Sequence, residues 1–111
     1  MKEQLHPDLI RICDELEKII DFKITCAHRT EEEQNKAFKD GFSKLQYPKS
    51  KHNTLPSMAM DLAPLPINYN NIARFHYLAG MVMAIAHNLD IKIQWGGNWK
   101  SIVDLPHFEL I

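Results

Sequence analysis

The most informative segment of this chain is Ser50-Lys51-His52-Asn53-Thr54-Leu55-Pro56-Ser57-Met58-Ala59-Met60-Asp61-Leu62, residues 50–62. Its first part belongs to a polar segment, 42–55, that has no sustained period and therefore indicates a loop. Its last part, 58–62, alternates, so a strand there places Ala59 and Asp61 on one face and the larger apolar side chains on the other. The sequence thus predicts a loop that delivers Ser50 and His52 to a site beside a carboxylate-bearing strand.

Helical periods and end signals flank this stretch. Apolar residues at three- and four-residue steps predict a first helix over residues 7–20. A capping box of Thr30 with Glu33 begins a second helix, and Gly41 ends it. A longer period over residues 72–89 predicts a third helix, which we expect to be the central buried one.

Further strands are predicted at residues 22–27, 91–95 and 107–111. In the last of these, alternation places His107 and Glu109 on one face. The expected fold class is α+β, with a small antiparallel sheet packed with about three helices.

A second group of chemically active residues lies near the C-terminus. Trp95-Gly96-Gly97 is followed by Asp104-Leu105-Pro106-His107, and Pro106 favours a turn that presents the acid. Together with the first stretch, these segments supply two imidazoles, one carboxylate ligand and one spare carboxylate. A catalytic zinc site needs three protein ligands, a position for water and a nearby base, so the inventory fits a metal hydrolase.

The order of these residues resembles that of the zinc D-Ala-D-Ala carboxypeptidase and L-alanyl-D-glutamate peptidase family. That family includes many phage endolysins and shares a fold with Hedgehog signalling domains. The resemblance spans residues 24–111 and rests on the Ser-x-His, Ala-x-Asp and acid-x-x-His segments. It implies that His52, Asp61 and His107 bind Zn²⁺ and that Asp104 is the catalytic base.

Arg29, in Ala27-His28-Arg29-Thr30, matches an early arginine of the same family. The resemblance implies that Arg29 binds substrate or stabilises the developing oxyanion. Two positions depart from the common pattern. His52 and Asp61 are nine positions apart, a longer gap than is usual and one we expect of the phage-type branch, and Asn98 stands where many relatives carry Asp.

Other residues near the motifs have competing explanations. Ser50 is a candidate substrate contact or a hydrogen-bonding residue of its loop, and no Ser-His-Asp order supports a nucleophile. Trp95 is a candidate substrate wall or a packing anchor. Glu109 is the reserve candidate for an outer hydrogen-bond partner of His107 or for the base. Cys13 and Cys26 form no Cys-x-x-Cys pair, so we leave both out of the site.

Length and charge limit the remaining possibilities. At 111 residues the chain fits a single catalytic domain, 1–111, without a separate wall-binding domain. With 13 Lys and Arg against 14 Asp and Glu, nucleic acid is not an expected partner. Neither a signal peptide nor a membrane-inserting segment is evident. We expect a monomer that stays in the cytoplasm until it is released to the cell wall.

The resemblance implies hydrolysis of the peptide stem of bacterial peptidoglycan at the L-Ala-D-Glu bond, as in a phage-type endolysin. A D-Ala-D-Ala carboxypeptidase is the alternative within the same class. A non-catalytic, zinc-stabilised binding module is the alternative from another class. Asp104 argues against that module, because a structural zinc is normally closed by four protein ligands.

Overall fold

Three α-helices and four β-strands make up the computed structural model, which describes residues 1–111. The helices are α1 (Pro7–Leu16), α2 (Glu31–Lys39) and α3 (Ile72–Asn88). The strands are β1 (Phe22–Cys26), β2 (Ala59–Pro64), β3 (Ile93–Trp95) and β4 (His107–Leu110). Short 3-10 turns lie at Lys2–Gln4, Lys51–Asn53 and Gly96–Asn98. The predicted α+β class with a small antiparallel sheet is confirmed.

The sheet brings distant parts of the sequence together. Its strand order is β1-β2-β4-β3, and each neighbouring pair is antiparallel. Asp61 on β2 lies opposite His107 on β4 and, across the other edge of β2, opposite Cys26 on β1. Side chains at paired positions point to the same face of a sheet. The register therefore places a histidine and a thiol beside one carboxylate.

Helices α1 and α3 pack their apolar faces into the core that covers one side of this sheet. Helix α1 is capped by Nδ1 of His6, which accepts a hydrogen bond from the backbone of Asp8, and its face includes the fully buried Cys13. The predicted extension of α1 to residue 20 is wrong. The helix ends at Leu16, and Ile19 is 57% exposed, because the chain turns there to enter β1.

Helix α3 buries one side only. Its inward residues are Phe75, Leu78, Ala79, Val82 and Ala86, as its period predicts. Ile72, at its first position, is 56% exposed, so the apolar face begins one turn later than expected. None of the helices combines the length and apolar character that crossing a bilayer requires.

The core lies between the helices and one face of the sheet. Met60 and Leu62 of β2 and Phe108 of β4 are fully buried in it. The residues between them point to the other face, where Asp61, His107 and Glu109 line a cavity. Strand alternation thus separates the packed face of the sheet from the face that carries the polar side chains.

Candidate functional site

Three side chains from separate parts of the chain converge on the polar face of the sheet. Nε2 of His52 lies 3.2 Å from Oδ1 of Asp61, and Nδ1 of His107 lies 3.1 Å from the same oxygen. The two imidazole rings meet edge to face, with centroids 5.1 Å apart. The structure therefore brings together the three residues that the sequence singled out as metal ligands.

Local structure explains how His52 reaches this position. It lies in the 3-10 turn Lys51–Asn53, where Oγ of Ser50 accepts a hydrogen bond from the backbone of His52 and Oδ1 of Asn53 accepts one from the backbone of Ser50. The carbonyl of His52 accepts a further bond from the backbone of Arg29 at 2.7 Å. Ser50 thus caps the turn that carries the histidine, and it also lines the cavity beside Asp61.

Hydrogen bonds on the far side of each ring orient the imidazoles. Nδ1 of His52 lies 2.7 Å from the carbonyl of Ala27, so it donates there and leaves Nε2 to face Asp61. Nε2 of His107 lies 2.8 Å from Oε1 of Glu109, so it donates there and leaves Nδ1 to face Asp61. Outer partners of this kind fix which nitrogen a metal-binding histidine presents.

The spacing of these donor atoms fits a small divalent cation. Zn–N and Zn–O bonds of about 2.0–2.1 Å in a tetrahedron put neighbouring ligand atoms about 3.3 Å apart. The 3.1 and 3.2 Å separations from Asp61 to the two rings are close to that value. Two imidazoles and one carboxylate are also a donor set that zinc accepts. Both spacing and chemistry suit a zinc ion.

Cys26 offers a second donor set. Its thiol lies 3.6 Å from Nδ1 of His52, and Cys26, His52 and Asp61 are close enough together to hold a metal ion. That thiol, however, approaches the nitrogen that already donates to Ala27. Nε2 of His52 faces Asp61 instead, so two donor sets share His52 and Asp61, one completed by Cys26 and the other by His107.

The charges in this cluster depend on one another. Burial works to lower the pKa of His52, but hydrogen bonds to Asp61 and Cys26 outweigh it and raise that pKa to about 10. Burial works to raise the pKa of Asp61, but bonds from both histidines hold it well below its usual range. Without metal, the cluster therefore keeps positive charge beside Asp61, where a cation would take the place of protons.

Asp104 lies beside this cluster without joining it. Its Oδ2 is 4.0 Å from Nδ1 of His107, and its side chain is 41% exposed. Burial and repulsion from Asp61 raise its pKa. Its backbone donates to the carbonyl of Gly96 at 3.0 Å, and its own carbonyl accepts from the backbone of His107. A turn thus presents the acid, as Pro106 predicts.

A cavity of about 510 Å³ opens over these residues. Arg29 and Asp104 line it together with His52, Asp61 and His107. The guanidinium of Arg29 donates to Oε1 of Gln34 at 2.9 Å and approaches the thiol of Cys26 at 3.6 Å. Arg29, the arginine predicted from the sequence, therefore lines the same cavity as Asp104 and the three donor residues.

Trp95 and Trp99 occupy different environments in the structure. Trp95 is buried, donates from Nε1 to the carbonyl of Leu105 at 2.7 Å, and is not among the cavity residues. This placement favours the packing interpretation of Trp95 over a substrate contact. Trp99 lines the cavity instead, with its ring 5.0 Å from that of His107. Asn98 is exposed and does not line the cavity.

Gln34 is a structural residue of the site that sequence reasoning missed. It is fully buried, and its carbonyl oxygen accepts from Arg29 and Asn53. Its amide nitrogen donates to the carbonyl of Leu45 at 2.6 Å and to Oγ of Ser43 at 2.9 Å. Gln34 is the one buried residue of α2, so that helix shows no apolar stripe that would mark its inward side.

Comparisons with known proteins identify a family and a similar solved structure. The model of the family described as phage L-alanyl-D-glutamate peptidase matches residues 1–111. Among solved structures, the crystal structure of the L-Ala D-Glu endopeptidase ChiX from Serratia marcescens is similar, with a TM-score of 0.85 and 26% sequence identity. The match covers 99% of this chain and 83% of that one. None of the curated protein sequences matches significantly.

Proposed function

This chain belongs to the family of phage L-alanyl-D-glutamate peptidases, and we propose that it is a zinc metallopeptidase. It hydrolyses the peptide stem of bacterial peptidoglycan, and the family and the similar endopeptidase both support the L-Ala-D-Glu bond as the one cleaved. The convergence of His52 and His107 on Oδ1 of Asp61 carries the zinc proposal.

We assign His52, Asp61 and His107 as the residues that hold the metal. Zinc bound there would acidify a water molecule and polarise the scissile carbonyl. Three protein ligands leave a position open, which suits catalysis better than a structural role. The cavity above the three donors gives the peptide access to that position.

Asp104 is the proposed general base and acid. It accepts the proton of the attacking water and returns it to the departing amine of the D-Glu residue. Its partial exposure and its 4.0 Å distance from His107 leave it outside the ligand set but within reach of a water between them. The turn at Gly96 holds its backbone in place.

Arg29 has two roles open to it, since its guanidinium lines the same cavity. It either stabilises negative charge that grows on the carbonyl oxygen or binds a carboxylate of the substrate. Its bond to the buried Gln34 and its approach to the thiol of Cys26 fix the orientation of the guanidinium in that cavity.

Digestion of purified muropeptides tests the proposed function. Mass analysis should show fragments cut between L-Ala and D-Glu, and a chelator should abolish them until Zn²⁺ is restored. Release of terminal D-Ala would instead indicate the carboxypeptidase alternative. Metal-replete protein that leaves all muropeptides intact would contradict peptidase activity, and cleavage that survives metal removal would contradict the zinc assignment.

We further propose that the enzyme acts as a monomer and stays in the cytoplasm until it is released to the cell wall. Each ligand and the proposed base come from a single chain, so the site needs no contribution from a second copy. Family membership among phage peptidases supports the timing.

A further inference from the structure

One segment of the cavity wall, residues 41–51, carries only positive charge. Lys44, Lys49 and Lys51 line the cavity, and the segment contains no Asp or Glu. Lys51 is already engaged, because its Nζ lies 3.3 Å from Oε2 of Glu109 and also donates to the carbonyl of Leu110. Lys44 and Lys49 have no ion-pair partner, so two unneutralised cations border the cavity.

The segment 99–104 lines the same cavity with different chemistry. Trp99 and Ile102 contribute apolar surface, Ser101 is neutral, and Asp104 is its one charged residue in the wall. Each segment places two apolar side chains in the wall, Phe42 and Leu45 in the basic segment and Trp99 and Ile102 in the other, so a bound peptide meets two segments that differ in charge. Such a difference orients a ligand whose two halves differ in charge.

Hydrogen bonds from one buried side chain hold the part of the basic segment around Lys44. The amide of Gln34, inside the protein, donates to Ser43 and to the carbonyl of Leu45, the two neighbours of Lys44. The same side chain accepts from Arg29. The backbone on both sides of Lys44 is thus fixed relative to Arg29, so Lys44 lies on a part of the cavity wall that hydrogen bonds hold in position.

The substrate has a matching asymmetry. A D-Glu residue within a peptide uses one carboxyl group to continue the chain and keeps the other free, whereas L-Ala contributes only a methyl group. We infer that Lys44 and Lys49 bind the free carboxylate of D-Glu and that the L-Ala half lies toward Trp99 and Ile102. This inference rests on the proposed function. It adds two basic residues that recognise a charge of the substrate, and the direction in which the peptide binds.

Two synthetic peptides test it: an N-acylated L-Ala-γ-D-Glu-L-Lys and the same peptide with the free D-Glu carboxylate converted to an amide. Wild-type enzyme should cleave the carboxylate form with the higher kcat/KM. Each exposed ion pair supports up to about a fivefold preference, and the preference should shrink at high salt. Lys44→Gln with Lys49→Gln should lower kcat/KM for the carboxylate peptide alone and so remove the preference.

Lys92→Gln is the matched control, since Lys92 is exposed, unpaired and outside the cavity, and it should keep the wild-type preference. A double variant that retains the full preference would overturn the inference, and so would a wild-type enzyme that cleaves both peptides equally. Wild-type enzyme that cleaves neither peptide would overturn the proposed function and the inference with it.

Discussion

Glu109 accepts a hydrogen bond from Nε2 of His107 at 2.8 Å, and this bond decides which nitrogen of the ring faces Asp61. The carboxylate is itself held, because its other oxygen accepts from Gln94 at 2.8 Å and lies 3.3 Å from Nζ of Lys51. Strand alternation places His107 and Glu109 two residues apart on one face. The orienting carboxylate and the histidine thus come from a single strand.

Glu109→Ala should weaken zinc binding, because nothing then fixes the ring of His107. Loss of such an outer partner typically costs about 10–100-fold in metal affinity. Glu109→Gln keeps an acceptor oxygen, so its zinc affinity should lie between that of Glu109→Ala and that of the wild type. Competition with a zinc indicator measures the affinity. Glu15→Gln, on the surface of α1, is the control, and equal affinity in all four proteins would contradict the role of Glu109.

Removal of Cys26 and removal of His107 should have opposite effects on metal content. Cys26→Ser should keep one zinc per chain, because the thiol approaches the nitrogen of His52 that donates to Ala27. His107→Ala should lose the metal, because it removes a donor that faces Asp61. Elemental analysis after desalting distinguishes the two. If Cys26→Ser lost zinc and His107→Ala retained it, the metal ligands would be Cys26, His52 and Asp61 instead.

Strand periodicity made much of this site predictable from the sequence. Alternation in β2 places Asp61 on the same face as Ala59, and alternation in β4 places His107 on the same face as Glu109, so the polar face of each strand is predictable by itself. The sequence does not state which strands are neighbours. The resemblance to a known family supplied that link, and the register of β2 with β4 agrees with it.

Features that depend on irregular backbone were not predictable. The register of β1 shifts between Ile24 and Cys26, and this irregularity brings Cys26 opposite Asp61 and its thiol against His52. Nor does α2 have an apolar stripe, so nothing marked Gln34 as its inward residue. Both residues matter through contacts made across the fold, which local patterns do not record.

Gly96→Ala should damage the turn that holds Asp104. A Cβ at position 96 would lie 2.3 Å from the carbonyl oxygen of Asp104 and 3.0 Å from Cβ of His107. Overpacking of this kind costs about 1–3 kcal/mol of unfolding free energy, and the displaced acid should lower kcat as well. Urea unfolding and muropeptide cleavage measure the two effects.

Gly80→Ala is the matched control for that substitution. Gly80 is exposed on α3, and an added Cβ there meets nothing within 4 Å. Alanine in a helix should raise the free energy of unfolding by about 0.5–1 kcal/mol and leave activity unchanged. If Gly96→Ala behaved like Gly80→Ala, the close packing of the turn at Asp104 would be contradicted.

Asp104→Asn should separate metal binding from catalysis. The amide is nearly the same size as the carboxylate, and Asp104 is not among the three converging donors, so zinc content should stay at the wild-type level. Without a group to accept the water's proton, kcat should fall by about 10²–10⁴-fold. Asp21→Asn, an exposed residue far from the cavity, controls for the loss of one negative charge. Wild-type turnover in Asp104→Asn would remove this residue from the mechanism, and loss of zinc would instead make it a ligand.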